Sequence, residues 1–360
     1  MDNKQFYSLD EYIRQGEPQK AEKSSLWKTA IGLQDVDGLK TSDYLLEIAK
    51  MHIDGKIDIE TAKERIDSYY INRDIRQTAE EKTMEADKVA VRIAQILSEK
   101  TFQFSPAELS VIHHRLFDGV YKHAGKIRAY NITKNEWVLN GQTVYYASAD
   151  SIKETLDYDF SQEKNFSYPG LSTAESIRHI AKFTSGIWQI HPFCEGNTRT
   201  TAVFVIKYLQ TFGFNVSNDV FAENSWYFRN VLVRANYNNL RSGIHGTTEF
   251  LEKFFENLLL GTHHELKNRY LHIDFQSAIA NVPKCRNDNL NCTLEELAII
   301  NIIRNDPGIT QVEMAKLSGL SERTIKRRTV EMQEKNLIKR ENGRRNGKWI
   351  VLADIGKESK

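Results

Sequence analysis

Apolar residues recur at three- and four-residue spacing over most of residues 40–260, a period that predicts amphipathic helices. Ser42 is placed to cap a helix carrying Tyr44, Leu45, Ile48, Ala49 and His52. Asp54-Gly55-Lys56 ends it, and a second helix begins near Glu60 with Ala62, Ile66 and Tyr69 on one face, so the pair forms a small helical hairpin. A charged stretch from Arg73 to Lys88 leads into Val89, Ile93, Ile96 and Leu97, again at helical spacing. The pattern breaks at residues 126–150. There Trp137-Val138-Leu139 and Thr143-Val144-Tyr145-Tyr146 flank Asn140-Gly141, a dipeptide that favours the left-handed turn of a β-hairpin. Such a hairpin is either a surface excursion or a clamp for an extended peptide, and the pattern leaves both open. Residues 1–36 are polar and mixed, and are expected to be a flexible arm with little core of its own.

Beyond a polar linker at residues 275–292, the pattern changes again. It predicts a helix from Leu294 to Ile303, a turn at Asn305-Asp306-Pro307-Gly308, a helix from Gln311 to Leu317, and a tight turn at Ser318-Gly319. A third helix follows from Glu322 to Lys335, then two strands at Leu337-Ile338 and Lys348–Leu352. This order is that of a winged helix-turn-helix. The third helix carries Arg323, Lys326, Arg327 and Arg328, and the wing carries Arg344, Arg345 and Lys348. Cations on those two elements suit a DNA major groove and the adjacent phosphates. Protein docking or a homodimer through the same module stays open.

Composition narrows the rest. A chain of 360 residues can hold two or three cores, and 40% apolar with 27% charged residues is ordinary for a water-soluble protein. The net charge of +1 means that any nucleic-acid site must be local. Cys194, Cys285 and Cys292 cannot make a disulfide framework, which suits a reducing compartment. The charged N-terminus lacks the apolar core of a signal peptide, and no run is apolar enough to span a membrane. The expected location is cytoplasmic, with no membrane partner.

Chemistry concentrates at residues 191–200, His-Pro-Phe-Cys-Glu-Gly-Asn-Thr-Arg-Thr. Taken singly, His191 is a helix-end cap, Phe193 a core anchor, Glu195 a solvated acid and Gly196-Asn197 a turn. Together they gather a base, a metal ligand, a tight turn and the cation Arg199 between two apolar helices. The second helix, Thr200–Phe212, offers its N-terminal amides and dipole to an anion.

This arrangement resembles the signature of the Fic family, His-x-Phe-x-(Asp/Glu)-Gly-Asn-Gly-Arg-x-x-Arg. His191, Phe193, Glu195, Gly196, Asn197 and Arg199 match it, whereas Thr198 replaces the last Gly and Ala202 the second Arg. Ala124-Gly125-Lys126-Ile127-Arg128 with the following hairpin resembles the family's target-docking flap, and Trp226 to Asn236 its closing helices. The resemblance covers about residues 90–260. It implies a mainly α fold, with a Fic-type helical domain at 89–274 bearing a β-hairpin flap. A flexible arm (1–36), a helical regulatory segment (37–88), the linker (275–292) and the winged helix (293–360) complete the expected division.

The activity implied is transfer of AMP from ATP to a Ser, Thr or Tyr hydroxyl of a target protein or of the chain itself. His191 would be the general base, at the ordinary histidine pKa of about 6.5. Glu195 would hold Mg²⁺, Gly196, Asn197, Thr198 and Arg199 would bind the ATP phosphates, and Trp137, Val138, Leu139 and Asn140 would dock the target strand. Because Ala202 cannot grip a γ-phosphate, another phosphate-containing group could be the one transferred. A second reading is a DNA-binding regulator whose Fic domain only binds nucleotide. Residues 33–38 with the hairpin behind them resemble the small antitoxins of the Vbh type, with Asp37 where an inhibitory Glu is expected. Its usual partner, the second Arg, is absent, so the segment either inhibits through Asp37 or serves only in packing.

Overall fold

The polar N-terminal residues fold, contrary to the arm expected of them. In the computed structural model, which describes residues 4–71, 78–214, 219–275, 293–341 and 347–352, they form α1 (Lys4–Arg14) and α2 (Pro18–Gly32). Pro18 opens α2, where its missing N–H is no loss. Leu9, Trp27, Ala30 and Leu33 are fully buried. The polar composition misleads because the polar residues of α2 are buried in pairs. Lys28 ion-pairs with Asp10 and Asp219 at 2.5 and 2.6 Å, and Ser24 donates to the Leu9 carbonyl at 2.7 Å. A 3-10 turn, Leu33–Asp37, follows and ends at Gly38 with φ of 66°. At Gly32 the backbone presses against a later helix so closely that an added Cβ would overlap the backbone of Ala222.

The helical hairpin is present as α3 (Asp43–Ile53) and α4 (Ile59–Ile71), with the Ser42 hydroxyl accepting from the Leu45 amide at 3.1 Å. It is fastened to α5 (Thr78–Ser98) by the buried carboxylate of Asp87, which accepts from the Ser42 amide at 2.8 Å and the Tyr70 hydroxyl at 2.6 Å. The division expected between residues 88 and 89 falls inside α5, a single helix that serves both segments.

Helices α6 (Pro106–Phe117), α7 (Ile152–Asn165), α8 (Thr173–Ile190), α9 (Asn197–Thr211), α10 (Val220–Ala235) and α11 (Glu249–Leu260) make the central bundle. Every residue of α9 from Asn197 to Leu209 is buried, so this helix is the axis around which the others pack. Phe104, Phe160, Phe183, Phe204 and Tyr208 form an aromatic cluster on one side of it. Among the described residues no helix is long and apolar enough to cross a membrane.

The expected β-hairpin at 126–150 is not a strand ladder. The chain does reverse at Asn140-Gly141, with φ of 55° and 79°, but Trp137–Leu139 is a 3-10 turn and its flanks are extended without strand pairing. The loop is closed by the Glu136 amide donating to the Gln142 carbonyl at 2.9 Å and the Gly141 amide donating to the Glu136 carbonyl at 3.0 Å. Val138 and Leu139 both turn into the core, which no alternating strand could do with two adjacent residues.

The C-terminal unit has α12 (Leu294–Asn305), α13 (Gln311–Ser318), α14 (Glu322–Glu334) and strands β1 (Ile338–Glu341) and β2 (Lys348–Val351), paired antiparallel. Thr293 with Glu296 and Thr310 with Glu313 form capping boxes, which is why these boundaries were legible. Among the described residues, two contacts join the unit to the bundle in particular. Asn301 donates to the Leu259 carbonyl at 2.6 Å, and a Cβ at Gly213 would stand 3.4 Å from Ser318 and Leu320. The linker residues 276–292, with Cys285 and Cys292, lie outside the described residues.

Candidate active site

Helix α8 stops at His191, a non-glycine residue at φ 50°, ψ 59°. Such a conformation is uncommon and marks a position fixed by its surroundings. The ring is 3% exposed, with Tyr146 against it at 4.2 Å and the Trp188 edge at 5.2 Å. Nδ1 lies 3.3 Å from the Trp188 carbonyl oxygen. That oxygen can only accept, so the proton is assigned to Nδ1 and the lone pair to Nε2. Nε2 is buried and has no hydrogen-bond partner among the described residues. Burial, then the nearby ammonium of Lys134, holds the imidazole well below its ordinary pKa, against a smaller opposing pull from the Trp188 carbonyl. The expectation of an unperturbed histidine is thereby corrected: His191 is a neutral base with a free nitrogen, and stays one to a lower pH.

The loop after it is held by contacts that the sequence does not advertise. The Asn197 side chain accepts from the Phe193 amide at 3.0 Å and donates to the Phe193 carbonyl at 2.7 Å. His113, fully buried, stacks on Phe193 at 3.8 Å. Its Nδ1 accepts from the Gly125 amide at 2.8 Å, which leaves Nε2 to donate to the Glu195 carbonyl at 3.0 Å. Burial pushes its pKa down to about 4. Arg128 is spent on carbonyls, donating to those of His191, Tyr130 and Ala147. Gly196 adopts φ of 75°, and a Cβ there would fall on the Phe117 ring. The loop therefore requires glycine on two counts.

Among the expected ATP-binding residues, Gly196 stands at the N-terminus of α9, where unpaired amides meet the positive end of the helix dipole. The side chains of Asn197 and Thr198 are engaged elsewhere, since the Thr198 hydroxyl accepts from Trp188 Nε1 at 3.0 Å. Arg199 is 1% exposed and faces the N-terminal unit. It donates to Gln34 Oε1 at 3.1 Å and to Glu85 at 2.6 Å, and meets the Tyr121 hydroxyl at 3.2 Å. Asp37 Oδ2 lies 2.9 Å from its Nε, a close charge contact that is off the N–H axis. Burial alone would lower the guanidinium pKa, but Asp37, Tyr121 and Glu85 outweigh it and the net shift is upward.

Glu195 is 56% exposed and paired with Lys134 at 3.0 Å. Among the described residues no group of three or more His, Cys, Asp or Glu side chains is assembled. A divalent cation here would have one carboxylate from the protein and would take its other ligands from phosphates and water. That donor set suits Mg²⁺, a hard cation that keeps several waters.

The expected target-docking residues divide. Trp137 is 51% exposed, whereas Val138 and Leu139 are buried in the core and cannot present an edge. Asn140 donates to both carboxylate oxygens of Asp274 at 2.9 Å. Beside the turn lies an open groove of about 610 Å³, lined by Thr133, Asn135, Thr143, Tyr145, Asn239 and Arg241. In the winged helix, Arg323, Lys326 and Arg327 are exposed on α14. Arg328 is withdrawn: it pairs with Glu295 and, at 2.9 Å, with Glu331. Arg344 and Arg345 lie outside the described residues.

Glu85, His113, Tyr121 and Lys134, which contact the loop after His191 or Arg199, were missed, and Gln34 was named only as part of the segment 33–38. They reach it over long sequence separations, 165 residues from Gln34 to Arg199, so no local pattern could have found them.

Two family models match parts of the chain. The Fic/DOC family model matches residues 103–209, and the winged helix-turn-helix DNA-binding model matches residues 296–339. The chain is similar to the protein adenylyltransferase VbhT of Bartonella schoenbuchensis, 26% identical over 117 residues. That stretch is 32% of this chain and 23% of the relative, so the likeness spans about a quarter of that protein's length.

Proposed function

For a chain that carries a Fic/DOC domain followed by a winged helix-turn-helix, we propose protein adenylylation: AMP passes from ATP to a Ser, Thr or Tyr hydroxyl of a protein. The observation that carries it is His191, whose buried Nε2 has no partner among the described residues while Nδ1 is committed to Trp188. A base so placed accepts the hydroxyl proton as that oxygen bonds to the α-phosphorus. The bond from the α-phosphorus to the bridging oxygen breaks, and pyrophosphate leaves with the electron pair. The α9 amides around Gly196 receive phosphate charge, and a Mg²⁺ held by Glu195 would neutralise the rest. The adenylyltransferase likeness of the relative supports AMP as the group.

The test is the intact mass of the full chain, and of candidate targets, after incubation with ATP and Mg²⁺. Wild type gains an AMP-sized increment and His191→Ala gains none; a phosphate-sized increment, or transfer by His191→Ala, overturns the proposal. Because the His191 pKa is held down, the acid limb of the rate profile should lie below the ordinary histidine range.

The exposed cations of α14 favour a second role alongside the first, binding of DNA. Replacing Arg323, Lys326 and Arg327 together by Ala should flatten the dependence of log affinity on log salt by roughly two to three counterions, since each phosphate contact contributes about 0.9 to the slope. An affinity that ignores salt in the wild-type chain would remove this role.

We propose too that the structure is a resting state, in which Asp37 and Glu85 occupy the cation that ATP phosphates need. Asp37 thus acts on Arg199 rather than on the missing second Arg.

A further inference from the structure

We propose that Lys134 is a second phosphate-contacting cation of this site beside Arg199, filling the role that residue 202 cannot, and that its contact with Glu195 is the resting place of its ammonium. The inference rests on the nucleotide-transfer reading above.

Among the described residues, the arginines around the loop are committed elsewhere. Ala202 is apolar and fully enclosed in α9, so no charge can be supplied from that position. Arg128 is consumed by backbone carbonyls, and Arg229 pairs at 2.7 Å with the buried Glu136. Arg199 is covered by Gln34, Asp37, Glu85 and Tyr121. Lys134 differs in kind. Its ammonium stands 3.0 Å from Glu195 Oε2, on a side chain 27% exposed facing a carboxylate that is 56% exposed. A pair in that setting contributes little to stability and exchanges readily.

The backbone that carries it is held in place. The Lys134 amide donates to Thr143 Oγ1 at 3.1 Å across the loop. Two residues on, Glu136 is fixed by Arg229, and the Asn131 side chain accepts from the Ala149 amide at 2.8 Å. The turn thus delivers one flexible ammonium to the mouth of the α9 N-terminus. Glu195, to which the ammonium is paired, lies four residues beyond His191 in the same loop. If Glu195 were to hold a divalent cation, the ammonium of Lys134 would be released from the carboxylate and free to pair with a phosphate. A lysine suits this task, because it is a compact charge on a long stem with no fixed geometry to satisfy.

The test is calorimetric titration of the full-length chain with Mg²⁺-ATP and, separately, with adenosine. The proteins are wild type, Lys134→Met and Lys134→Arg, each checked for an unchanged unfolding midpoint. Lys134→Met should bind ATP roughly tenfold more weakly, the loss of one charge-assisted contact, while adenosine binds as before and Lys134→Arg recovers most of the affinity. In the transfer assay the same variant should raise KM for ATP more than it lowers kcat. Equal ATP affinity in wild type and Lys134→Met overturns the assignment. So does an equal loss for ATP and adenosine, which would make Lys134 a prop for the loop. Wild type that binds no ATP at all would bring down the nucleotide reading itself, and this inference with it.

Discussion

Replacing Asp37 by Ala should raise the rate of transfer about fivefold, and adding Glu85→Gln should bring the total to roughly a hundredfold. Arg199 is 1% exposed, and its guanidinium faces the N-terminal unit rather than the α9 amides. Asp37 is 37% exposed, so solvent screens its charge, and a contact of this class amounts to about 1 kcal/mol, or some fivefold. Glu85 accepts directly from the guanidinium at 2.6 Å and is 18% exposed, so its charge-assisted hydrogen bond is the larger hold, about 2 kcal/mol. Both carboxylates also oppose any phosphate that approaches the same group, so removing them acts on ATP affinity as well as on the resting equilibrium. Initial rates from intact mass, with ATP varied, would separate the two. Unchanged rates in the double variant would mean that the N-terminal contacts are structural only. A lower rate would mean that Glu85 positions Arg199 productively.

Lys28→Met should loosen the N-terminal unit by about 2–4 kcal/mol, the scale of breaking a buried ion pair, reduced here because both orphaned carboxylates can rehydrate. Lys28 ties α1, through Asp10, to Asp219 at the start of α10, and its own side chain is 2% exposed. The paired charges outweigh the cost of burial and raise its pKa, so the ammonium persists throughout the neutral range. In a chain with several structural units one global midpoint blurs such a change. Hydrogen exchange resolves it: the amides of α1 and α2 should lose protection while those of α9 keep theirs. Since the 3-10 turn carrying Asp37 follows directly from α2, Lys28→Met should also raise the transfer rate. Exchange that is unchanged in α2 would show that apolar burial of Trp27 and Leu33 holds the unit unaided.

The chain was most legible where structure is local. The winged helix carries its boundaries in Thr293 with Glu296, Thr310 with Glu313, and Ser321, caps that act within four residues. The loop from His191 to Arg199 was legible for the same reason, as a helix end, a positive-φ glycine and a helix start packed into nine positions. Asn140-Gly141 correctly marked a reversal. The strands around it did not follow, because Val138 and Leu139 are drawn into the core and Glu136 to Arg229, contacts that outbid a hairpin ladder.

Tertiary structure alone decided the rest. The polar residues of α1 and α2 look like a solvated arm until Asp10 and Asp219 are set around Lys28. Arg328, basic like its exposed neighbours on α14, is tied down because α12 brings Glu295 to it beside the Glu331 of its own helix. Above all, sequence could name Arg199 as a phosphate ligand, yet whether it faces a phosphate or a carboxylate depends on residues 34, 37 and 85 arriving at one point. Helix caps and turns are encoded within a few residues because their hydrogen bonds close within a few residues. The ownership of a charge is settled by whichever opposite charge the folded chain carries to it, and no short stretch of sequence records that.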